Sequence, residues 1–295
     1  MELRQGRVTA NGLDFAYLEA GEGPLALCLH GFPDSPYTYR HLLPALAAAG
    51  YRAVAPFQRG FAPTAIPADG RYRLIDRVHD GNRLHEALGG GSDAVLVGHD
   101  WGSSMAHGVA ANEPERWRRV VLINIPIAPI IADVFPTYDQ IKRFFYAWFF
   151  QCSAIAGAVV SAIDMAFIDR IWAEWSPGYD ATEDLVHAKA CLRDPANLEA
   201  AFGYYRSYFD PQRIGTAEWA AENGAAYGTL PPQPVLYLHG PNDGCCALDD
   251  AAMEKTRTLL APGSEASWVE GTGHFLLVEK PAQVNDRILS FLAAG

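Results

Sequence analysis

Apolar and polar positions follow two different rhythms along this chain. Through the first 125 residues, short apolar runs alternate with stretches of helical spacing. Gln5–Ala10 and Leu13–Glu19 predict a hairpin about Asn11-Gly12, a dipeptide suited to a tight turn. Leu25–Leu29, Arg52–Pro56, Ala94–Gly98 and Val120–Ile123 predict strands. Pro36–Ala49, Leu74–Leu88 and Ser103–Ala111 predict the helices between them, with breaks at Gly50 and Gly89-Gly90-Gly91. From Pro126 to Leu230 the strand signal disappears, leaving helical stretches punctuated at Ser176-Pro177-Gly178 and Asp194-Pro195. After Pro231-Pro232 the alternation resumes: strand Val235–His239, helix Ala247–Leu260, strand Ala266–Glu270, helix Pro281–Ala293. Such alternation specifies an α/β fold with a doubly wound, mostly parallel sheet. The division expected is core residues 1–125, an inserted helical cap over residues 126–230, and the rest of the core over residues 231–295.

Composition narrows the class of protein. Of 295 residues, 49% are apolar and 19% charged, enough for a large core and too apolar for a disordered chain. A net charge of −11 without a basic cluster argues against a nucleic-acid partner. Met1–Asn11 carries Arg4 and Arg7 but no apolar run, so no signal peptide is expected. Cys28, Cys152, Cys191, Cys245 and Cys246 form an odd set without metal-type spacing; reduced thiols and a cytoplasmic location are the expectation. The uncharged run from Phe144 to Ile163 has the length of a membrane span. Gln151, Ser153, Gly157 and Ser161 dilute it, so no span is expected; it either lines a pocket or supports a homodimer. Between Pro126 and Leu230 lie 19 of the 34 aromatic side chains, which makes the cap a lid of rings.

The candidate chemistry begins where strand Ala94–Gly98 runs into Gly98-His99-Asp100-Trp101-Gly102 and then a helix. That is a nucleophile-elbow arrangement with Asp100 at its tip, where flanking glycines avoid collision on a tight turn. An Asp capping a helix after a strand would give the same local pattern. Three further pieces add context. His30-Gly31-Phe32-Pro33 follows a strand where this architecture places an oxyanion donor. Gly240-Pro241-Asn242-Asp243 follows the strand Val235–His239, and Gly271-Thr272-Gly273-His274 follows the last strand. Nucleophile, acid and histidine thus stand in the order this fold uses. Asp249 and Asp250 compete with Asp243 as the acid, but they fall in a helical, surface pattern.

The chain resembles the α/β-hydrolase superfamily over nearly its whole length, and within it the epoxide hydrolases, with haloalkane dehalogenases as cousins. Gln58-Arg59-Gly60-Phe61 and Asn124-Ile125-Pro126 add to the likeness. Phe61-Ala62-Pro63-Thr64, and Phe57 in place of an acidic residue, depart from it. An aspartate nucleophile favours attack on an sp³ carbon, since the resulting alkyl ester can be hydrolysed whereas attack on an ester would give an anhydride. Opening an epoxide then needs a proton donor at its oxygen, for which a phenol is suited.

The resemblance implies two cap tyrosines. Tyr146-Ala147-Trp148-Phe149-Phe150-Gln151 supplies Tyr146, and Tyr204-Tyr205-Arg206 supplies Tyr205, with Tyr204 as the alternative register. It also implies backbone oxyanion donors at Phe32 and Trp101. The pocket is expected to be lined by His30, Pro33, His99, Trp148, Phe149, Tyr204 and Phe275. Phe32, Asn124 and the absence of arginine just after Asp100 speak against a dehalogenase. The expected activity is hydrolysis of an apolar, aromatic-type epoxide, with no cofactor and no metal. A dehalogenase sharing the nucleophile, and a non-catalytic ligand-binding member of the fold, are the alternatives.

Overall fold

Asn11 and Gly12 both adopt left-handed backbone (φ 48° and 75°), the turn that joins strands β1 (Arg4–Ala10) and β2 (Leu13–Ala20) into a hairpin. The computed structural model describes residues 3–294. Beyond the hairpin, β3 (Leu25–Leu29), β4 (Arg52–Pro56), β5 (Ala94–His99), β6 (Trp117–Ile123), β7 (Val235–His239) and β8 (Glu265–Trp268) complete one sheet. Its order is β1-β2-β4-β3-β5-β6-β7-β8, with β2 antiparallel to both neighbours and β3 to β8 mutually parallel.

The core helices are α1 (Leu42–Ala48), α2 (Leu74–Ala87), α3 (Trp101–Asn112), α11 (Asp250–Leu259), α12 (Leu276–Glu279) and α13 (Pro281–Ala293). Between β6 and β7 the chain forms α4 (Ala128–Val134), α5 (Tyr138–Arg143), α6 (Phe145–Phe149), α7 (Ser153–Trp175), α8 (Thr182–Leu192), α9 (Pro195–Tyr208) and α10 (Ala217–Tyr227).

All residues of β3 and β5 are buried, because helices cover both faces of the sheet. Ala26, Cys28, Val95 and Val97 face one hydrophobic layer, while Leu25, Leu27, Leu29 and Leu96 face the other. The alternation of a strand thus serves two cores, and the continuous apolar runs follow from it.

Beyond shifts of one to three residues at element ends, those of β6, α3 and β8 among them, three elements differ from the sequence expectation. The helix expected over Pro36–Ala49 is a 3-10 turn at Pro36–Tyr39 followed by α1. Pro44 is tolerated only in a first helical turn, so a helix containing it must start close before it. The helix expected from Ala247 begins only at Asp250, because the Asp249 carboxylate accepts the Ala252 N–H at 2.7 Å as its cap. The short helix α12 has no counterpart in the sequence reading.

The uncharged run 144–163 is not one helix. It covers α6, a turn at Gln151-Cys152 and the start of α7, which is interrupted at Ala162–Met165. Among the described residues no helix is long and apolar enough to cross a membrane.

Candidate active site

The parallel strands end at one edge of the sheet, and Asp100 stands there between β5 and α3. Its backbone lies at φ 55°, ψ −125°, a region that non-glycine residues rarely enter and that costs about 1–3 kcal/mol. The surroundings enforce it. A Cβ on Gly98 would come within 2.1 Å of the Gly102 carbonyl oxygen, and one on Gly102 within 1.8 Å of the Leu29 carbonyl oxygen. Only glycine lets β3, β5 and α3 approach this closely. Gly31 is constrained in the same way, since a Cβ there would lie 2.0 Å from Asp100 Oδ1. With that space free, the Phe32 N–H donates to Asp100 Oδ1 at 2.7 Å. Trp101 opens α3, so its N–H has no partner within the helix.

His274 and Asp243 arrive from loops after β8 and β7. His274 Nε2 lies 3.5 Å from Asp100 Oδ2, and its Nδ1 lies 3.0 and 3.1 Å from the two Asp243 oxygens. One backbone atom ties the loops together: the Trp175 carbonyl at the end of α7 accepts from both Gly244 (3.1 Å) and His274 (2.9 Å). The His274 carbonyl in turn accepts from Asn124 Nδ2 at 2.7 Å and from His99 Nε2 at 2.8 Å. Asn124 therefore secures the histidine loop.

Burial pulls the His274 pKa down, but the flanking Asp243 and Asp100 carboxylates outweigh it and push the value up to about 10. For Asp243 burial is likewise outweighed, by the His274 imidazolium, then by His239 and the N–H group of Cys245, and its pKa is lowered.

The two phenols face this carboxylate across a cavity of about 300 Å³ whose lining includes Asp100, Trp101, Tyr146 and Tyr205. The Tyr146 and Tyr205 rings meet edge to face at 5.4 Å. Tyr146 Oη contacts Cys245 Sγ at 3.5 Å, whereas Tyr205 Oη, buried beside Trp101 and Tyr146, has no hydrogen-bond partner among the described residues. Burial raises both phenols well above the ordinary tyrosine range, and the Asp100 carboxylate adds to it. Both hydroxyls stay protonated at neutral pH. Tyr204 turns the other way: its hydroxyl donates to the Arg59 carbonyl at 2.8 Å and its ring packs on Phe61.

Of the side chains expected to line the pocket, His30, Pro33, His99, Trp148, Phe149, Tyr204 and Phe275 are all absent from the cavity wall. They form its support. His30 bonds the Gly31 carbonyl through Nδ1 and accepts from Gln58 N–H through Nε2. Phe275 stacks on Trp172 at 3.4 Å, and that indole donates to the Pro33 carbonyl. Phe149 packs on Phe167, and Trp148 lies against Phe209.

The wall comes instead from helices the sequence reading did not single out. α4 supplies Ala128, Ile131 and Ala132, and α10 supplies Trp219, Ala220, Asn223, Gly224 and Tyr227. A partial signal was present, since Ala220 and Gly224, four residues apart, put two small residues on one side of α10.

Asp100, Cys245 and His274 offer ligand atoms all within 4.8 Å of one another, the one group among the described residues that could hold a metal ion. An ion there would occupy the carboxylate and imidazole that the chemistry below uses.

The chain matches the alpha/beta hydrolase fold family over residues 24–281. It is 27% identical to an epoxide hydrolase of Caballeronia sordidicola, covering 97% of this chain and 92% of that protein. It is 29% identical to epoxide hydrolase A of Mycobacterium tuberculosis, covering 97% and 96%. Among solved structures it superposes on an epoxide hydrolase from an endophytic Streptomyces with a TM-score of 0.79 at 28% identity, over 98% of this chain and 95% of that one. An epoxide hydrolase from Vigna radiata gives the same TM-score of 0.79 at 27% identity, over 99% and 98%.

Proposed function

The chain belongs to the α/β-hydrolase fold family, and we propose that within it the protein is an epoxide hydrolase, converting an apolar epoxide to a vicinal diol through an ester on Asp100. The observation that carries this reading is the pair of buried phenols opposite the Asp100 carboxylate, one of them, Tyr205, with no hydrogen-bond partner for its hydroxyl among the described residues. A halide leaving group needs no such proton donor. The side chain at Phe32 offers no amide to a halide and packs on Phe150 and Tyr205. The relatives named epoxide hydrolases support the same choice.

The first step is attack of an Asp100 oxygen on an oxirane carbon. The carbon–oxygen bond of the ring breaks, and the departing oxygen takes a proton from Tyr205, with Tyr146 as its second hydrogen-bond donor. Asp100 loses its charge in becoming an ester. With one of its two flanking carboxylates gone, His274 no longer holds its proton so firmly, and the proton it gives up balances the one the phenol lost.

In the second step neutral His274 takes a proton from water, and the hydroxide attacks the ester carbonyl. Asp243 stabilises the imidazolium that forms. The oxyanion is met by the N–H groups of Phe32 and Trp101, each donor of this kind contributing about 3 kcal/mol. Collapse expels the diol oxygen, which takes the proton of the added hydroxyl, and the carboxylate is restored.

We take residues 126–230 as a cap that encloses the substrate, with apolar and aromatic walls suited to an aryl or alkyl substituent. Free thiols at all five cysteines suit a reducing, cytoplasmic location.

The test is His274→Gln incubated with styrene oxide. A substrate-sized mass gain on the peptide carrying Asp100 is expected to accumulate. Turnover by the wild-type protein with no adduct in the variant would overturn the mechanism.

A further inference from the structure

Arg77 stands on α2, one turn after Leu74 of the cavity wall, and is 1% exposed. None of its three guanidinium nitrogens has a hydrogen-bond partner among the described residues. The nearby Asp80 carboxylate is committed to Arg59, with both contacts at 2.6 Å. Burial draws the Arg77 pKa down to about 10, which still leaves it cationic at neutral pH. A buried cation without an acceptor is expensive for a fold, and an apolar side chain of similar length would fill the space without that cost. Such a residue calls for a role outside stability.

Two aromatic rings flank it. The guanidinium carbon lies 4.3 Å from the centroid of the Trp101 ring and 4.3 Å from that of Tyr204. Both rings adjoin the site. Trp101 follows the nucleophile, and its ring meets Tyr205 edge to face at 5.3 Å. Tyr204 precedes Tyr205 on α9 and is pinned at its far end to the Arg59 carbonyl. One cation thus joins a core helix, the elbow and the helix that carries the phenol.

We propose that Arg77 is a positioning residue for epoxide opening: it clamps Trp101 and Tyr204 so that the Tyr205 hydroxyl faces the cavity, and its charge favours the Tyr205 phenolate formed when the epoxide oxygen takes the proton. The inference rests on the reading of the site as an epoxide hydrolase. In the step concerned the Tyr205 O–H bond breaks as the ring carbon–oxygen bond breaks. The negative charge left on Tyr205 is the charge that the guanidinium opposes. Ester hydrolysis at Asp100, which passes through a different oxyanion, gains less from it.

The experiment compares Arg77→Met and Arg77→Lys with wild type in single-turnover runs on styrene oxide, following ester formation and ester hydrolysis separately. Arg77→Met is expected to fold with an unchanged or higher Tm, to lose at least tenfold in the rate of ester formation, and to keep its hydrolysis rate within threefold. Arg77→Lys, which retains the charge between the rings, is expected to recover most of the loss. The inference is overturned if Arg77→Met forms ester at the wild-type rate, slows both steps equally, or does not fold. It is also overturned if Arg77→Lys is as slow as Arg77→Met. Absence of any ester on Asp100 in His274→Gln is a separate outcome, which removes the underlying reading instead.

Discussion

Asparagine at position 100 imitates the charge change that esterification would make, because an amide, like an ester, is neutral. Two unit charges 3.5 Å apart, the His274 Nε2 to Asp100 Oδ2 distance, interact by about 5 kcal/mol at an effective dielectric of ~20, or about 3.5 pK units. That is of the same order as the whole displacement of His274 from 6.5 to about 10. Asp100→Asn should therefore return His274 close to its ordinary range, with Asp243 still opposing burial.

The assay is an NMR titration of the His274 ring nitrogens in the two proteins. Wild type is expected to stay protonated to near pH 10, and the variant to titrate about 2–3 units lower. Stability should follow. A pKa raised by folding adds stability that is fully present below pH 6.5 and is lost as pH rises through 10, so the urea midpoint of wild type should fall across that window and that of Asp100→Asn should fall less. A wild-type His274 already neutral at pH 7, or identical titrations in the two proteins, would refute the argument that the base is released only after the first step.

Replacing Tyr146 and Tyr205 together by Phe should abolish ester formation on Asp100 while leaving Tm near wild type, as read by stopped flow and thermal unfolding; retained turnover would move the proton donor elsewhere. Gly224 has open space where a Cβ would stand, on the α10 face toward the cavity. Gly224→Leu should fold normally and lower kcat/KM for an aryl epoxide about tenfold or more, with propylene oxide little affected. The Arg59–Asp80 pair is buried and closes at 2.6 Å, so Asp80→Asn should cost about 3–5 kcal/mol and lower Tm by roughly 5–15 °C. A Tm within a degree of wild type would show that the pair adds no net stability.

Where local rules act alone, the sequence is readable to the residue. Asn11-Gly12 makes its hairpin, β3, β4 and β7 match their apolar runs, and α13 starts at Pro281. The elbow is readable for the same reason, since Gly98 and Gly102 answer to sterics within a few residues. Reading fails where a helix must choose a face. Tyr204 and Tyr205 differ by about 100° around α9, and tertiary packing sends one to the Arg59 carbonyl and the other to the cavity. Neighbours in a motif are misleading guides to a wall for the same reason: His30, His99 and Phe275 stand close to Phe32, Asp100 and His274 in sequence but not on the cavity wall. The break in α7 at Ala162–Met165 has no glycine or proline to announce it. Arg77 and Asp80 carry charges that suggest solvent, although Arg77 sits one turn after Leu74 and Asp80 one turn before Leu84, both on the buried side of α2.

The aromatic excess between Pro126 and Leu230 resolves into two populations, and that bears on substrate. Phe135, Phe144, Tyr146, Tyr205, Tyr208, Phe209, Trp219 and Tyr227 line the cavity. Phe150, Phe202, Trp172 and Trp175 instead pack the inside of the insertion and the loop that carries His274. The first group presents edges and faces around a space of about 300 Å³, with Ser104, Asn223, the tyrosine hydroxyls and the Trp101 and Trp219 indoles as the side chains of its wall that carry polar atoms besides Asp100. A substituent bearing a hydroxyl would lose its water there for few partners, whereas an aryl ring gains edge-to-face contact in several directions. Preference should therefore rise from glycidol through propylene oxide to styrene oxide in kcat/KM at fixed pH. A chain that processed glycidol best would have its rings for support alone, and the cavity would not be what selects the substrate.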